Sequence, residues 1–208
     1  MDASTTVASR TSKKQTVVPR ERILVAAARQ FRERGYRAAT VRDIGKEVGI
    51  LSGSLFHHFA TKEQILVDML REATISLCTG IEARLDSVTD PVQRLRVLIR
   101  FEMECFAGPQ TRDYFAVLVS EWRDVPASVQ PELRALRTRY AEISKSVMQA
   151  CHAAGVLRVP PEAAERVLHG ITTGSVSWFK NNGRYTVSEF ADIIVSLLLK
   201  EGAALGAD

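Results

Sequence analysis

Cysteine is scarce, and its three copies (Cys78, Cys105, Cys151) are widely spaced with no CxxC pair. An odd, unclustered set builds no disulfide framework, and reads as buried or free thiols of a reducing compartment. Long apolar runs are missing: no stretch approaches the roughly 20 residues of a membrane span. The opening segment, MDASTTVASRTSKKQTVVPRER, is polar and basic and has no apolar centre of the kind a signal peptide carries. These absences point to a cytoplasmic chain without a membrane partner. Catalytic signatures are also missing. The sequence has no GxSxG, no HExxH, no glycine-rich phosphate loop and no Cys/His pair at catalytic spacing, so it is not expected to be an enzyme. No cofactor or metal is expected either. The side chains of His57 and His58 point about 100° apart on a helix and cannot share an ion, and His152 and His169 lack ligand spacing.

What remains is a composition near the soluble average, with 46% hydrophobic and 25% charged residues in 208, enough for one or two domains with a sizeable core. The net charge of +4 permits contact with a polyanion without demonstrating it. Its distribution says more. Residues 1–62 hold 12 Lys and Arg against 5 Asp and Glu, a balance of +7, whereas residues 63–208 hold 16 against 19, a balance of −3. A short basic module is therefore joined to a mildly acidic body.

Apolar residues recur at three and four throughout, which predicts an all-α chain of about nine helices. Residues 1–19, rich in Ser, Thr and Lys, are expected to form a disordered basic tail ending at Pro19. A first helix is predicted from Arg20 to Arg34, stopped by Gly35. A second starts at Thr40, where Thr40-x-x-Asp43 resembles a capping box, and stops at Gly49. A third spans Ser52 to Phe59. Thr61, with Gln64 at the reciprocal position, opens a fourth that runs to about Ser87 and carries Leu66, Leu70, Ala73, Leu77, Ile81 and Leu85 as a continuous stripe. Proline and glycine breaks then divide the body into helices near 91–107, 110–123, 129–154, 161–181 and 187–201. The expected division is a tail at 1–19, a three-helix head at 20–66 and a larger helical body at 67–208.

The segment from Thr40 to Phe59 carries the functional signal. Two short helices meet at a tight turn on Gly49, the pattern of a helix-turn-helix, whose second helix enters the DNA major groove. Its exposed side offers Ser52, Gly53, Ser54, Phe56 and His57. Small residues allow close approach to base edges, and apolar surface can meet a thymine methyl. Helix starts at Thr40 and Thr61, with Arg42, Lys46, Lys62, the Arg20/Arg22 pair and the tail residues Arg10, Lys13 and Lys14, are suited to phosphates.

Residues 20–66 resemble the DNA-binding domain of TetR-family transcriptional regulators. The resemblance rests on the amphipathic first helix ending in Gly35-Tyr36, on Thr40-Val-Arg-Asp-Ile-Gly, on the run from Gly49 to Phe59, and on Thr61-Lys-Glu. It implies a homodimeric repressor that binds a double-stranded palindromic operator and is released by ligand. Thr40, Arg42, Ser52, Gly53, Ser54, Phe56, His57, Thr61 and Lys62 then stand as the DNA-binding set. Two positions depart from the family pattern. Leu51 stands where Ser or Thr commonly caps the recognition helix, which shifts the expected cap to Ser52, and Phe56 stands where a tyrosine hydroxyl commonly reaches a phosphate. The run from Gly49 to Phe59 is also similar to actinobacterial regulators of steroid-ring catabolism, which sense acyl-CoA thioesters.

In the body, Phe101, Phe106, Tyr114, Phe115, Leu118, Trp122 and Trp178 are candidate ligand-binding residues, for a small hydrophobic or acyl-CoA-type effector. Each of them is also explained as ordinary core. Gly170, Gly174 and Ser177 on one late helix, with Ile193, Ile194 and Leu197 on the next, are candidates for a two-fold interface. A helical lipid-binding protein without a specific DNA target would explain the aromatic body, but not the capped helix-turn-helix.

Overall fold

The computed structural model describes residues 18–108, 111–180 and 182–203. The described residues form nine α-helices and one 3₁₀ turn, and pair as strand only in one isolated bridge, Leu157 with Leu199. The all-α architecture expected from periodicity is the one adopted. None of the described helices is long and apolar enough to cross a membrane.

Helix α1 (Arg20–Arg34) buries Ile23, Leu24, Ala27, Ala28 and Phe31, and ends on Gly35 at φ 78°. Helix α2 (Val41–Val48) opens with a full capping box. Thr40 Oγ1 accepts the Asp43 N–H at 3.1 Å, and the Asp43 carboxylate accepts the Thr40 N–H at 3.1 Å. Gly49 closes α2 in the left-handed region, where only glycine sits without steric cost. Helix α3 (Ser52–Leu55) differs from expectation in two ways. Ser52 does not take over the cap: Leu51 occupies the cap position and no side chain bonds the free N–H groups. The helix is also a single turn, because residues 56–58 leave it as turn, and buried Phe59 draws the chain toward the next helix.

Gly45 makes this corner possible, a role that spacing alone did not reveal. It is buried in α2, the Ile50 N–H donates to its carbonyl at 2.9 Å, and an added Cβ would lie 2.9 Å from the Ile50 carbonyl oxygen. The turn is folded directly onto the helix backbone.

Helix α4 (Lys62–Leu85) starts on Thr61, whose hydroxyl accepts the Gln64 N–H at 3.0 Å. Its 24 residues make a rod of about 36 Å. The whole expected stripe from Leu66 to Leu85 is buried. The body follows as α5 (Pro91–Ala107), α6 (Arg112–Ser120), the 3₁₀ turn Trp122–Asp124, α7 (Gln130–Ala153), α8 (Pro161–Trp178) and α9 (Val187–Leu198). Helix α5 is central, packing on α4 and on every later helix. The tail expectation is corrected at its end: Val18 is buried in the core, and the Pro19 carbonyl accepts the Arg22 N–H at 3.0 Å. Residues 1–17, including Arg10, Lys13 and Lys14, lie outside the described residues.

Gly45→Val should therefore force the Gly49 turn away from α2. Overpacking of this kind costs about 1–3 kcal/mol. The expected result is a lower thermal midpoint and loss of specific DNA binding, checked by calorimetry and by fluorescence anisotropy on promoter DNA.

Candidate nucleic-acid interface and effector cavity

The head is held by Ile44 and Leu55, both fully buried, with Val41, Val48 and Ile50 packed around them. That packing fixes which side of α3 faces outward. Gly53, Phe56 and His57 are exposed, Ser52 and Ser54 are half-buried, and a Cβ on Gly53 would meet nothing within 4 Å. Leu51 is the most exposed large apolar side chain among the described residues, at 77%. In sequence Leu51 reads only as a residue that cannot cap, yet it stands beside the outward residues of α3.

The basic side chains divide sharply into paired and free. Arg20 pairs with Asp68 at 2.9 Å and with Glu72, and lies over the Phe59 ring. Arg29 pairs with Glu33 and Glu47, Arg32 with Asp113, Arg34 with Asp43, and Arg37 with Asp124 at 2.9 Å. Arg22, Arg42 and Lys46 are exposed and form no ion pair among the described residues. Arg20 is thus not the free phosphate donor it was expected to be.

Lys62 also departs from expectation. Its ammonium donates to the carbonyls of Tyr36 at 2.7 Å, Arg37 at 3.3 Å and Ala39 at 2.9 Å, and sits 4.4 Å from the centre of the Tyr36 ring. An ammonium has three donors, so here Lys62 ties α4 to the α1–α2 loop. Thr40 is likewise engaged in its own cap, and its hydroxyl also donates to Asp43 at 2.6 Å. Those bonds hold the Asp43 carboxyl below its ordinary range.

A cavity of about 680 Å³ lies in the body, within the size range of small-molecule sites. Of the seven expected ligand-binding residues, Phe106, Leu118 and Trp122 line it. The other four are corrected. Phe101 packs over Gly80, beneath the Arg84 guanidinium at 4.3 Å. Phe115 is buried and packs against Phe106 with the rings tilted by 55° and their centres 5.0 Å apart, and does not itself line the cavity. Tyr114 is half-buried away from the lining, close enough to Arg20 and Glu72 to feel their charges. Trp178 is 51% exposed and packs on Phe179 and Phe190. Helices α7 and α8 supply lining that went unrecognised, including Arg134, Arg137, Tyr140, Ser144, Glu165 and His169.

Glu102 is the unusual member of the lining. It is 3% exposed and accepts a hydrogen bond from the Tyr140 hydroxyl. Burial pushes its carboxyl up to about 7, against the opposing effect of the Tyr140 bond. The cysteines are chemically quiet: all three are buried, with burial raising Cys105 to about 12 and Cys151 to about 11.

The candidate interface residues also separate. Gly170 and Ser177 are exposed, Gly174 and Ile193 are half-buried, and Leu197 is 53% exposed. Ile194 is fully buried within the single chain. It belongs to the core and cannot serve as an intersubunit contact.

An outward-facing helix-turn-helix with free basic side chains, fixed to a helical body with its own cavity, defines a DNA-binding regulator. The comparisons agree. Residues 23–69 match the model of bacterial regulatory proteins of the tetR family, and residues 88–201 match the tetracyclin repressor-like C-terminal domain. The chain belongs to the TetR family. It is a DNA-binding transcriptional repressor of that family and not an enzyme. It is 30% identical to the HTH-type transcriptional repressor KstR2 of Mycolicibacterium smegmatis over 185 residues, covering 86% of this chain and 88% of that one. Against KstR2 of Rhodococcus jostii it is 32% identical over 183 residues, covering 86% and 89%. The solved structure of the ketosteroid transcriptional regulator KstR2 of Mycobacterium tuberculosis superposes with a TM-score of 0.75 at 30% identity, covering 90% and 98%.

The raised Glu102 carboxyl has a thermodynamic consequence. Between its ordinary 4.5 and about 7 the folded state holds a proton that the unfolded chain has released, so stability falls as pH rises through that interval. Glu102→Gln keeps the shape and removes the buried charge. At pH 8 it should raise the thermal midpoint, by about 2–4 °C per kcal/mol for a chain of this size, and at pH 5 change it little. Calorimetry at the two pH values checks this, and equal shifts would refute it.

Proposed function

We propose that this repressor binds a palindromic operator as a homodimer through the head at residues 20–66, and is released when a small hydrophobic or acyl-CoA-type effector fills the cavity of the body at residues 67–208. The observation that carries the DNA part is the sorting of charge. Arg22, Arg42 and Lys46 alone among the described basic residues of α1 and α2 are exposed and unpaired, and Arg42 and Lys46 share helix α2 with the turn that presents α3. Ser52, Gly53, Ser54, Phe56 and His57 would meet base edges, and Thr40, Arg42, Thr61 and the flanking cations would meet phosphates. Lys62 would join them only by leaving its three carbonyls.

Dimerisation is supported by an apolar face that the single chain leaves open. Val167 and Trp178 of α8 and Leu197 of α9 are 44%, 51% and 53% exposed, and Gly170 and Ser177 lie on the same pair of helices. A C2 dimer through α8 and α9 would cover this face and set two recognition helices in successive major grooves. The similarity to KstR2, described as a ketosteroid regulator, favours a steroid-derived or fatty acyl-CoA effector.

Release follows from what lines the cavity. Leu118 and Trp122 belong to α6 and the 3₁₀ turn, and the same segment carries Asp113 to Arg32 and Asp124 to Arg37. An effector that displaces α6 moves the partners of α1 and of the loop before α2. It acts as an inducer to the extent that it binds the DNA-incompetent state better.

Purified protein is expected to shift its own promoter at concentrations that leave random DNA unshifted, and equal affinity for both would sink the operator claim. Arg42→Ala should weaken operator and random DNA alike, lowering the slope of log affinity against log salt by about 1. Ser54→Ala should mainly redistribute sequence preference, read by selection from randomised duplexes.

A further inference from the structure

The cavity has an unbalanced positive side. Arg134 and Arg137 lie three residues apart on α7, both line the cavity and both are accessible to solvent. Their guanidinium groups sit over the Trp122 ring, 5.8 and 4.7 Å from its centre. Neither meets a carboxylate of the described residues within ion-pairing distance. Arg134 donates to the Gln130 side-chain oxygen at 3.1 Å, and Arg137 has no hydrogen-bond partner among the described residues. Arg139, two residues further along the same helix, pairs with Glu82 at 2.9 Å, so α7 leaves its cavity-facing arginines open while satisfying an outer one. Partial desolvation of its guanidinium against the cavity wall, and then the neighbouring Arg134 charge, lower the affinity of Arg137 for its proton. The cost of holding two like charges side by side falls when an anion arrives.

The rest of the lining shapes what that anion is attached to. Leu77, Phe106 and Leu118 are buried and apolar. The cavity carboxylates do not neutralise the arginines: Glu165 forms no ion pair among the described residues, and buried Glu102 is held by Tyr140. His169 is kept toward its neutral form by burial and by Arg137. A guanidinium pair over an aromatic ring suits a planar carboxylate or a phosphate, which it can meet with several N–H donors at once.

We propose that Arg134 and Arg137, set against Trp122, are the seat for an anionic head group, so that the cavity takes anionic amphiphiles and discriminates against uncharged hydrophobes of the same size. The apolar body of the ligand lies inward, and its carboxylate or phosphate stays at the solvent-facing side. This rests on the reading of the cavity as the effector site, and narrows that reading: a neutral multidrug-like hydrophobe leaves the two cations as unpaired as before. Trp122 also lies two residues from Asp124, which pairs with Arg37 of the head, so the head group is seated next to an interdomain contact.

The test uses two fluorescent probes of nearly equal shape, 1-anilinonaphthalene-8-sulfonate and uncharged N-phenyl-1-naphthylamine, titrated into the full-length protein. Wild type is expected to bind the sulfonate at least tenfold more tightly. The Arg134→Gln, Arg137→Gln double variant should lose at least tenfold for the sulfonate while staying within twofold for the neutral probe, which also shows that the cavity remains folded. Arg137→Lys, which keeps the charge, should retain most of the sulfonate affinity. Displacement of the bound sulfonate by decanoate and decyl phosphate, with decanol as the control, tells which anion fits best. Equal affinity of wild type for both probes, an unchanged sulfonate affinity in the double variant, or displacement by decanol as readily as by the anions would overturn the proposal. Operator binding measured without any ligand is a separate readout. Its failure would remove the operator reading and leave the cavity chemistry standing, and the reverse also holds.

Discussion

Helix α4 belongs to two places at once, and this continuity constrains everything else. Its first turns bury Ile65, Leu66, Met69 and Leu70, and its later turns bury Leu77, Ile81 and Leu85. Bending it would open voids among close-packed side chains, which interiors resist. The helix is therefore a rod braced against bending along its length. Lys62 fastens the end of that rod to three carbonyls of the α1–α2 loop, and Leu77 near its middle lines the cavity. Helix α4 thus joins the cavity wall and the head in one continuous element.

Ion pairs set the register of the two parts. Arg20, Arg32 and Arg37 of the head reach Asp68 and Glu72, Asp113 and Asp124 beyond it. Exposed pairs contribute only about 0–1 kcal/mol each, so they do not hold the head on; the apolar core does. Their more consequential effect is subtraction. They take three arginines out of the basic surplus of the N-terminal third, and leave Arg22, Arg42 and Lys46 exposed and unpaired among the described residues of α1 and α2. The exposed positive charge of the head is smaller and better placed than its composition suggests.

The cavity shows the same economy in reverse. Elsewhere on α7 the structure satisfies charge, as at Arg139 with Glu82, yet it leaves Arg134 and Arg137 open beside Trp122 and buries Glu102 with Tyr140. Polar groups in these states cost stability unless something else benefits, and a site that must recognise a small molecule is where such costs are tolerated.

What could be read from the sequence was local. The capping box at Thr40 and Asp43, the glycine stops at Gly35 and Gly49, and the stripe along α4 depend on residues three or four apart, so spacing alone reveals them. The helix-turn-helix and its outward face followed from the same short range. Positions that depend on distant neighbours were not legible. Phe101 and Trp178 look like cavity aromatics in sequence, but Gly80 makes room for one and α9 receives the other. Lys62 reads as a free cation until the α1–α2 loop folds its carbonyls around it. Arg134, Arg137, Tyr140 and Glu102 carry no motif, because their meeting requires α5 and α7 to be packed against each other first. The sequence by itself determined the helices, their ends and the DNA-reading class of the head, since these rest on bonds within a turn or two. Only the tertiary structure decided which charges are spent, which side chains line the cavity and which face is left open, since burial and pairing are properties of the packed chain and not of any one segment.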